Sequence, residues 1–288
     1  MPEQKIGNWG RWGPDDQRGT LNYLSSEVVK RAAGLVKKGK VYSLAVPLER
    51  DGPIWPGRNR TWHCTSYHND PAPGGLGGAD DMLVMHTHGT THVDSLAHVW
   101  YDNRLYNGHS SNNVTSAGAA KNAIDNARWI VGRGVLLDVA GYKGVDHLEK
   151  GYAITPEDLE GCARTHNVSI EPGDILLIRT GWYRLFSTDR ALFDSGEPGP
   201  GIAAVEWFAK SEVCAIGADN GGVEVLPPEG PGGMVVHYKV IRDLGAYLME
   251  YLDLEELARD RIYEFLFVAT PLRIVRGIGS PLNPLAIA

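Results

Sequence analysis

Between residues 86 and 98 the chain reads His86-Thr-His88-Gly-Thr-Thr-His92-Val-Asp94-Ser-Leu-Ala-His98, four imidazoles and a carboxylate within thirteen residues. Neutral imidazole nitrogen and carboxylate oxygen together suit Zn²⁺, Mn²⁺ or Fe²⁺. His88, His92 and Asp94 as a three-ligand set leave coordination positions open for water and substrate. On an extended chain residues 92 and 94 share one face, and Gly89 lets the backbone bend His88 toward the same point. His98, four residues beyond Asp94, is either a further ligand or a general base acting on metal-activated water. His86 reads as an ordinary core or surface residue. A Ser/His/Asp mechanism is disfavoured, because no Gly-x-Ser-x-Gly elbow occurs and Ser95 lacks that context.

Local patterns predict the elements that must carry these residues. Met82 to His88 reads as a strand delivering the histidines. Further strands are expected at 40–46, stopped by Pro47, and at 134–139, 174–179, 213–217, 264–269 and 272–275. Ser25-Ser26-Glu27 predicts a cap for a helix over 28–38, and Thr155-Pro-Glu-Asp158 predicts a capped start for a helix through His166. Other helices are expected at 119–127, 202–210 and 253–258. The stretch Asp70 to Asp81 reads as a flexible polar loop whose glycines lack the Lys-Ser/Thr of a phosphate cradle. With no internal repeat and no linker, the pattern predicts a single α/β domain over 1–288, with 1–24 as an N-terminal arm.

Composition narrows the function classes. A chain of 288 residues with 43% hydrophobic content is ample for a large core. A formal net charge of −7 argues against a nucleic-acid partner. No apolar run approaches the roughly 18 residues of a membrane span, and the polar start lacks a signal-peptide layout, so a cytoplasmic address without membrane association is expected. Cys64, Cys162 and Cys214 are far apart, which predicts idle thiols and neither a disulfide framework nor a zinc knuckle.

The histidine segment resembles the cyclase family of metal-dependent hydrolases, which includes bacterial kynurenine formamidase and isatin hydrolase and whose motif runs His-x-Gly-Thr-His-x-Asp-x-x-x-His. His88, Thr91, His92, Asp94 and His98 fall on its positions; Thr90 stands where the motif has glycine, with Gly89 one place earlier. That departure makes His86 a competitor for the outer ligand, and the four-residue spacing favours His88. Pro53-Ile-Trp55-Pro-Gly57 is similar to the family's aromatic turn over the substrate pocket. Gly217-Ala-Asp219-Asn220, His237 and Glu250 are similar to its distal metal-site elements. The opening Trp9 to Asp16 and Gly19 to Asn22 resembles the longer branch, where such an arm packs on a neighbour or edges the pocket; packing on its own domain is the alternative.

The resemblance implies a swivelling β/β/α domain, an α/β fold with a mixed sheet core and flanking helices, assembled as a homodimer or homotetramer. It also implies that His237 and Glu250 complete a second metal position bridged by Asp94, so that one or two Mn²⁺ or Zn²⁺ ions are expected. The expected function is hydrolysis of an amide or lactone-type bond in a small cyclic or aromatic substrate, with His98 moving the proton. Trp55 and Trp100, with Trp62 and Tyr67 nearby, are the aromatics available to stack on a planar substrate. A cyclase or dehydratase using the same metal site, and a catalytically silent metal or small-molecule binding protein, are the alternatives.

Overall fold

A computed structural model describes residues 6–69 and 74–288, and a nine-stranded sheet organises them. Its strands are β1 (Val41–Ser43), β2 (His92–Asp94), β3 (Ile130–Asp138), β4 (Ile175–Arg179), β5 (Ala215–Ala218), β6 (Tyr247–Glu250), β7 (Glu264–Ala269), β8 (Gly279–Pro281) and β9 (Leu285–Ile287). In space they run β1-β9-β7-β3-β4-β5-β6-β2-β8. The central four, β3 to β6, are mutually parallel, and every other pairing is antiparallel. The run Ile-Leu-Leu-Ile-Arg of β4 is buried throughout, the continuous apolar pattern of a strand covered on both faces. Helices α1 (Ser26–Ala33), α2 (Pro156–Thr165) and α3 (Ile202–Lys210) flank the sheet, and α1 packs directly on β3. This is the mixed-sheet α/β architecture expected.

Both predicted caps form. The Ser25 hydroxyl accepts the Val28 N–H, and Thr155 and Asp158 make a reciprocal capping box. The first helix nevertheless stops at Ala33, because Gly34 caps it well short of Lys38. The arm packs on its own chain: the Asn8 N–H donates to the Asp243 carbonyl at 3.0 Å, the Thr20 hydroxyl donates to Gly245 O at 3.0 Å, and Leu21 and Leu24 join the core. Among the described residues no helix is long and apolar enough to cross a membrane.

Three local expectations need correction. Within the stretch read as a flexible loop, Gly77–Val84 forms a strand paired with Trp62–Asn69 in a separate hairpin, while 70–73 fall outside the described residues. The predicted strand at 82–88 therefore ends at Val84, and His88 sits in a turn. Cross-strand pairing satisfies the backbone of Gly77 and Gly78, which carry no apolar alternation to read. The helix expected at 119–127 is a single 3₁₀ turn, Ile124–Asn126, and Ala119 belongs to a short strand instead. Leu272 to Val275 is no strand: Leu272 and Val275 are exposed, and the chain reaches the sheet only at β8.

The carboxyl ends of the parallel strands carry a row of charged residues: Asp138 on β3, Arg179 on β4, Asp219 just after β5 and Glu250 on β6. In open α/β sheets ligands bind at this edge. Antiparallel β2 lies beside β6 there, which brings the histidine segment to the same edge.

Candidate metal centre

Strand β2 puts His92 and Asp94 on one face, while Val93 between them points into the core. Glu250, the last residue of β6, pairs in register with His92. His237 arrives from the one-turn helix Val235–Tyr238, and His88 from the turn before β2. Asp94 is the hub. Its Oδ1 lies 3.2 Å from His88 Nε2, 3.6 Å from His92 Nε2 and 4.0 Å from His98 Nε2, and its Oδ2 lies 3.3 Å from His237 Nε2. Glu250 is 3.1 Å from His92 Nε2 and 3.8 Å from His237 Nδ1. His86 is exposed, so His88 is the outer histidine of the cluster.

Among the described residues two triplets have ligand atoms close enough to share one ion: His88, Asp94 and His98, and His92, Asp94 and Glu250. Both contain Asp94, the arrangement a bridging carboxylate needs. His88 Nε2, His92 Nε2 and both Asp94 oxygens are buried without a hydrogen-bond partner. Orphaned buried polar atoms are costly, and nitrogens and oxygens gathered around one carboxylate fit divalent-cation binding, with His88 in one triplet and His92 in the other. The outer ring nitrogens are held from behind: His92 Nδ1 lies 2.7 Å from Thr90 O, and His237 Nδ1 3.4 Å from Gly222 O. A ring that donates from Nδ1 keeps its Nε2 lone pair for a metal.

Electrostatics favour positive charge here. Burial opposes ionisation of His92, but Glu250 and Asp94 outweigh it and raise the ring to about 10. Burial likewise opposes His237, and Asp94 with Glu250 raises it to about 9. Burial works to raise Asp94, yet His98, His237 and His88 hold it well below the usual carboxylate range. His98 differs: burial, with the surrounding histidines, outweighs the pull of Asp94 and pushes it down to about 3, so its ring is neutral at pH 7.

Backbone strain gathers at the same place. Thr90 has φ +56°, Val223 φ +61° and Tyr251 φ +53°, all non-glycine residues in the left-handed region. Such positions cost on the order of 1–3 kcal/mol and persist only where the surroundings hold them. Thr90 separates His88 from His92, and Tyr251 follows Glu250. The turn that the sequence motif assigns to glycine is therefore kept, with threonine forced into it. The Thr90 N–H donates to Pro53 O at 3.1 Å, and the neighbouring Thr91 hydroxyl bonds the Tyr251 carbonyl at 2.5 Å.

The Trp55 turn is stitched to the histidine segment by an Ile54–Gly89 bridge and by Arg58, whose guanidinium donates to His88 O at 2.6 Å. Trp55 is half-buried and packs over Gly222, whose carbonyl lies 3.4 Å from His237 Nδ1. Trp100 is 38% exposed, and among the described residues no hydrogen bond or ring contact ties it to the cluster. Trp62 and Tyr67 sit on the separate hairpin, 49% and 76% exposed. Asp219 stays outside the cluster: its carboxylate accepts from the Thr180 N–H and hydroxyl and from the Gly181 N–H, tying β5 to β4.

Sequence reasoning missed three residues here. Glu197 accepts from the N–H groups of Gly221 and Gly222, and Glu224 accepts from the His237 N–H at 2.7 Å. Burial raises these two carboxyls to about 8 and about 7. Gly279 on β8 faces His88: a Cβ there would lie 2.6 Å from its Nε2. Nothing in the local pattern around these positions marks them, since each acts through a distant segment.

Comparison with known proteins bears on the family and the fold. Residues 42–225 match the family described as Putative cyclase. An isatin hydrolase of Roseibium aggregatum is 25% identical over 217 residues, covering 72% of this chain and 74% of that protein. A solved structure described as a novel cyclase is 39% identical, with a TM-score of 0.91 over 100% of this chain and 99% of its own. Isatin hydrolase A of Labrenzia aggregata, bound to benzyl benzoate, is 24% identical with a TM-score of 0.60, over 93% of this chain and 98% of its own, and shares the fold.

Proposed function

The chain belongs to the cyclase family, and from that premise we propose that it is a metal-dependent hydrolase that opens an amide or lactone-type bond in a small cyclic or aromatic substrate. One observation carries this reading: the unpartnered ring nitrogens of His88 and His92 both face Oδ1 of buried Asp94, whose two oxygens are themselves unpartnered. His88, His92 and Asp94, with Glu250 and His237, would hold one or two Mn²⁺ or Zn²⁺ ions. A bound ion supplies Lewis-acid polarisation of the substrate carbonyl and lowers the pKa of water.

The remaining work falls to side chains of this chain. His98, neutral at pH 7, accepts at its ring nitrogen the proton released on attack and returns it to the leaving nitrogen or oxygen. Stacking on the His88 ring at 4.3 Å positions it, and among the described residues no hydrogen bond occupies its ring nitrogens. Trp55 offers a flat face for a planar substrate, held next to the cluster by Arg58 and the Gly89 bridge. The likeness to isatin hydrolase favours a ring-fused amide among the substrates to be tried. Assembly as a homodimer or homotetramer is part of the same reading, and light scattering of the purified protein checks it.

Dialysis against a chelator is expected to remove activity toward isatin, formanilide, cyclic imides and lactones, and Mn²⁺ or Zn²⁺ to restore it; activity that survives metal removal would falsify the reading. Replacing Gly279 tests the outer ligand without touching it. In Gly279→Ala the new methyl collides with His88 Nε2, so the expected result is a roughly tenfold or greater loss of metal affinity in calorimetric titration.

A further inference from the structure

Glu197 is only 6% exposed, and both of its carboxyl oxygens are committed to backbone: Oε2 accepts the Gly221 N–H at 2.8 Å and Oε1 the Gly222 N–H at 2.7 Å. Consecutive N–H groups cradling one carboxyl group fix its geometry through both oxygens. Burying so polar a group is costly, so the turn it grips must be one the molecule has reason to hold. That turn is strained. Val223, immediately after Gly222, sits at φ +61°, which a β-branched side chain strongly disfavours. The Asn220 side chain anchors the same turn, accepting the Val223 N–H at 2.9 Å and donating to Pro198 O at 2.6 Å.

The turn has two outlets toward the reacting centre. Its Gly222 carbonyl lies 3.4 Å from His237 Nδ1, which leaves His237 Nε2 aimed at Asp94. Its other outlet is Trp55: a Cβ at Gly222 would meet Trp55 Cζ3 at 3.4 Å, Glu197 Oε1 at 3.1 Å and Met234 Cε at 2.6 Å, so the bare backbone is the floor on which Trp55 packs. We infer that Glu197 is a positioning residue that clamps the Gly221–Gly222 turn and through it orients both the His237 ring and Trp55. The inference rests on the hydrolase reading above and adds to it the device that couples the distal metal ligand to the aromatic platform. Both Glu197 oxygens are taken by backbone N–H groups, so its role is one of positioning.

Glu197→Gln keeps shape and removes one acceptor, so that its NH₂ faces one of the two N–H groups. The expected result is a fall of about 10–100-fold in Mn²⁺ affinity by calorimetric titration, the usual size of an outer-shell loss. In chelator-treated protein, long-range ¹H–¹⁵N spectra should show the His237 ring signals shifted from their wild-type positions. Asp174→Asn removes an equally buried carboxylate clamp, paired with Arg133 at the opposite end of β4, and should leave both readouts unchanged whatever it does to stability. Should the glutamine variant not fold, Glu197→Asp reads the same linkage, since the shorter side chain cannot reach both the Gly221 and the Gly222 N–H groups. Wild-type affinity with unshifted His237 signals in either folded variant overturns the inference, as does an equal loss in Asp174→Asn. A wild-type chain that binds neither Mn²⁺ nor Zn²⁺ sinks the hydrolase reading instead, and the spectra still report whether the clamp orients His237.

Discussion

Asp94→Asn is expected to abolish metal binding and turnover together. Asp94 is fully buried, and its two oxygens stand within 4.0 Å of the Nε2 atoms of His88, His92, His98 and His237. It is shared by both candidate ligand triplets, so no other single residue serves both positions. Asparagine replaces one acceptor with an NH₂ group that must face ring nitrogens, and it removes the negative charge that draws a cation into the cluster. Losing the ion's several kcal/mol of transition-state stabilisation corresponds to about a thousandfold or more in rate. Metal content by mass spectrometry and turnover of the best substrate are the two measurements. An Asp94→Asn protein that keeps stoichiometric metal would remove Asp94 from the ligand set, and with it the bridging role.

His98→Ala is expected to behave differently from His92→Ala. Loss of a positioned general base lowers kcat by about 10²–10⁴, and metal content should persist. His92→Ala should lose metal. The geometry separates the two residues: His98 Nε2 is the histidine nitrogen farthest from Asp94, its side chain is 20% exposed against 0% for His92, and only His92 is held from behind by a backbone carbonyl. Yet His98 also stands in a triplet with His88 and Asp94 that has ligand spacing. Metal loss in His98→Ala equal to that in His92→Ala would make it a ligand and reassign the proton transfer to another group. Retained metal with retained turnover would remove His98 from the reaction altogether.

Local chemistry was legible in the sequence because the inner part of the site is local. His88, His92, Asp94 and His98 lie within eleven residues, and the two-residue period of an extended chain alone puts His92 and Asp94 on one face, as β2 does. Helix starts at Ser25 and Thr155 were equally readable, since a cap is a contact between residues three apart. The Gly77–Val84 strand was not, because its pairing partner supplies the order that its own glycines lack.

What tertiary structure alone decided is everything that depends on two distant segments meeting. Family likeness could nominate His237 and Glu250, but only the placement of β6 between β5 and β2 sets Glu250 opposite His92 and swings His237 onto Asp94. The same meeting turns Glu197, an unremarked acid in Ser-Gly-Glu-Pro, into the clamp of a turn that touches His237 and Trp55. It likewise leaves Trp100 at the surface, although it lies two residues from His98. Spacing along the chain determines which atoms can share a ligand when they are neighbours. Burial, strain and orphaned donors arise from packing, and packing between residues more than a hundred positions apart leaves no periodic trace in either segment.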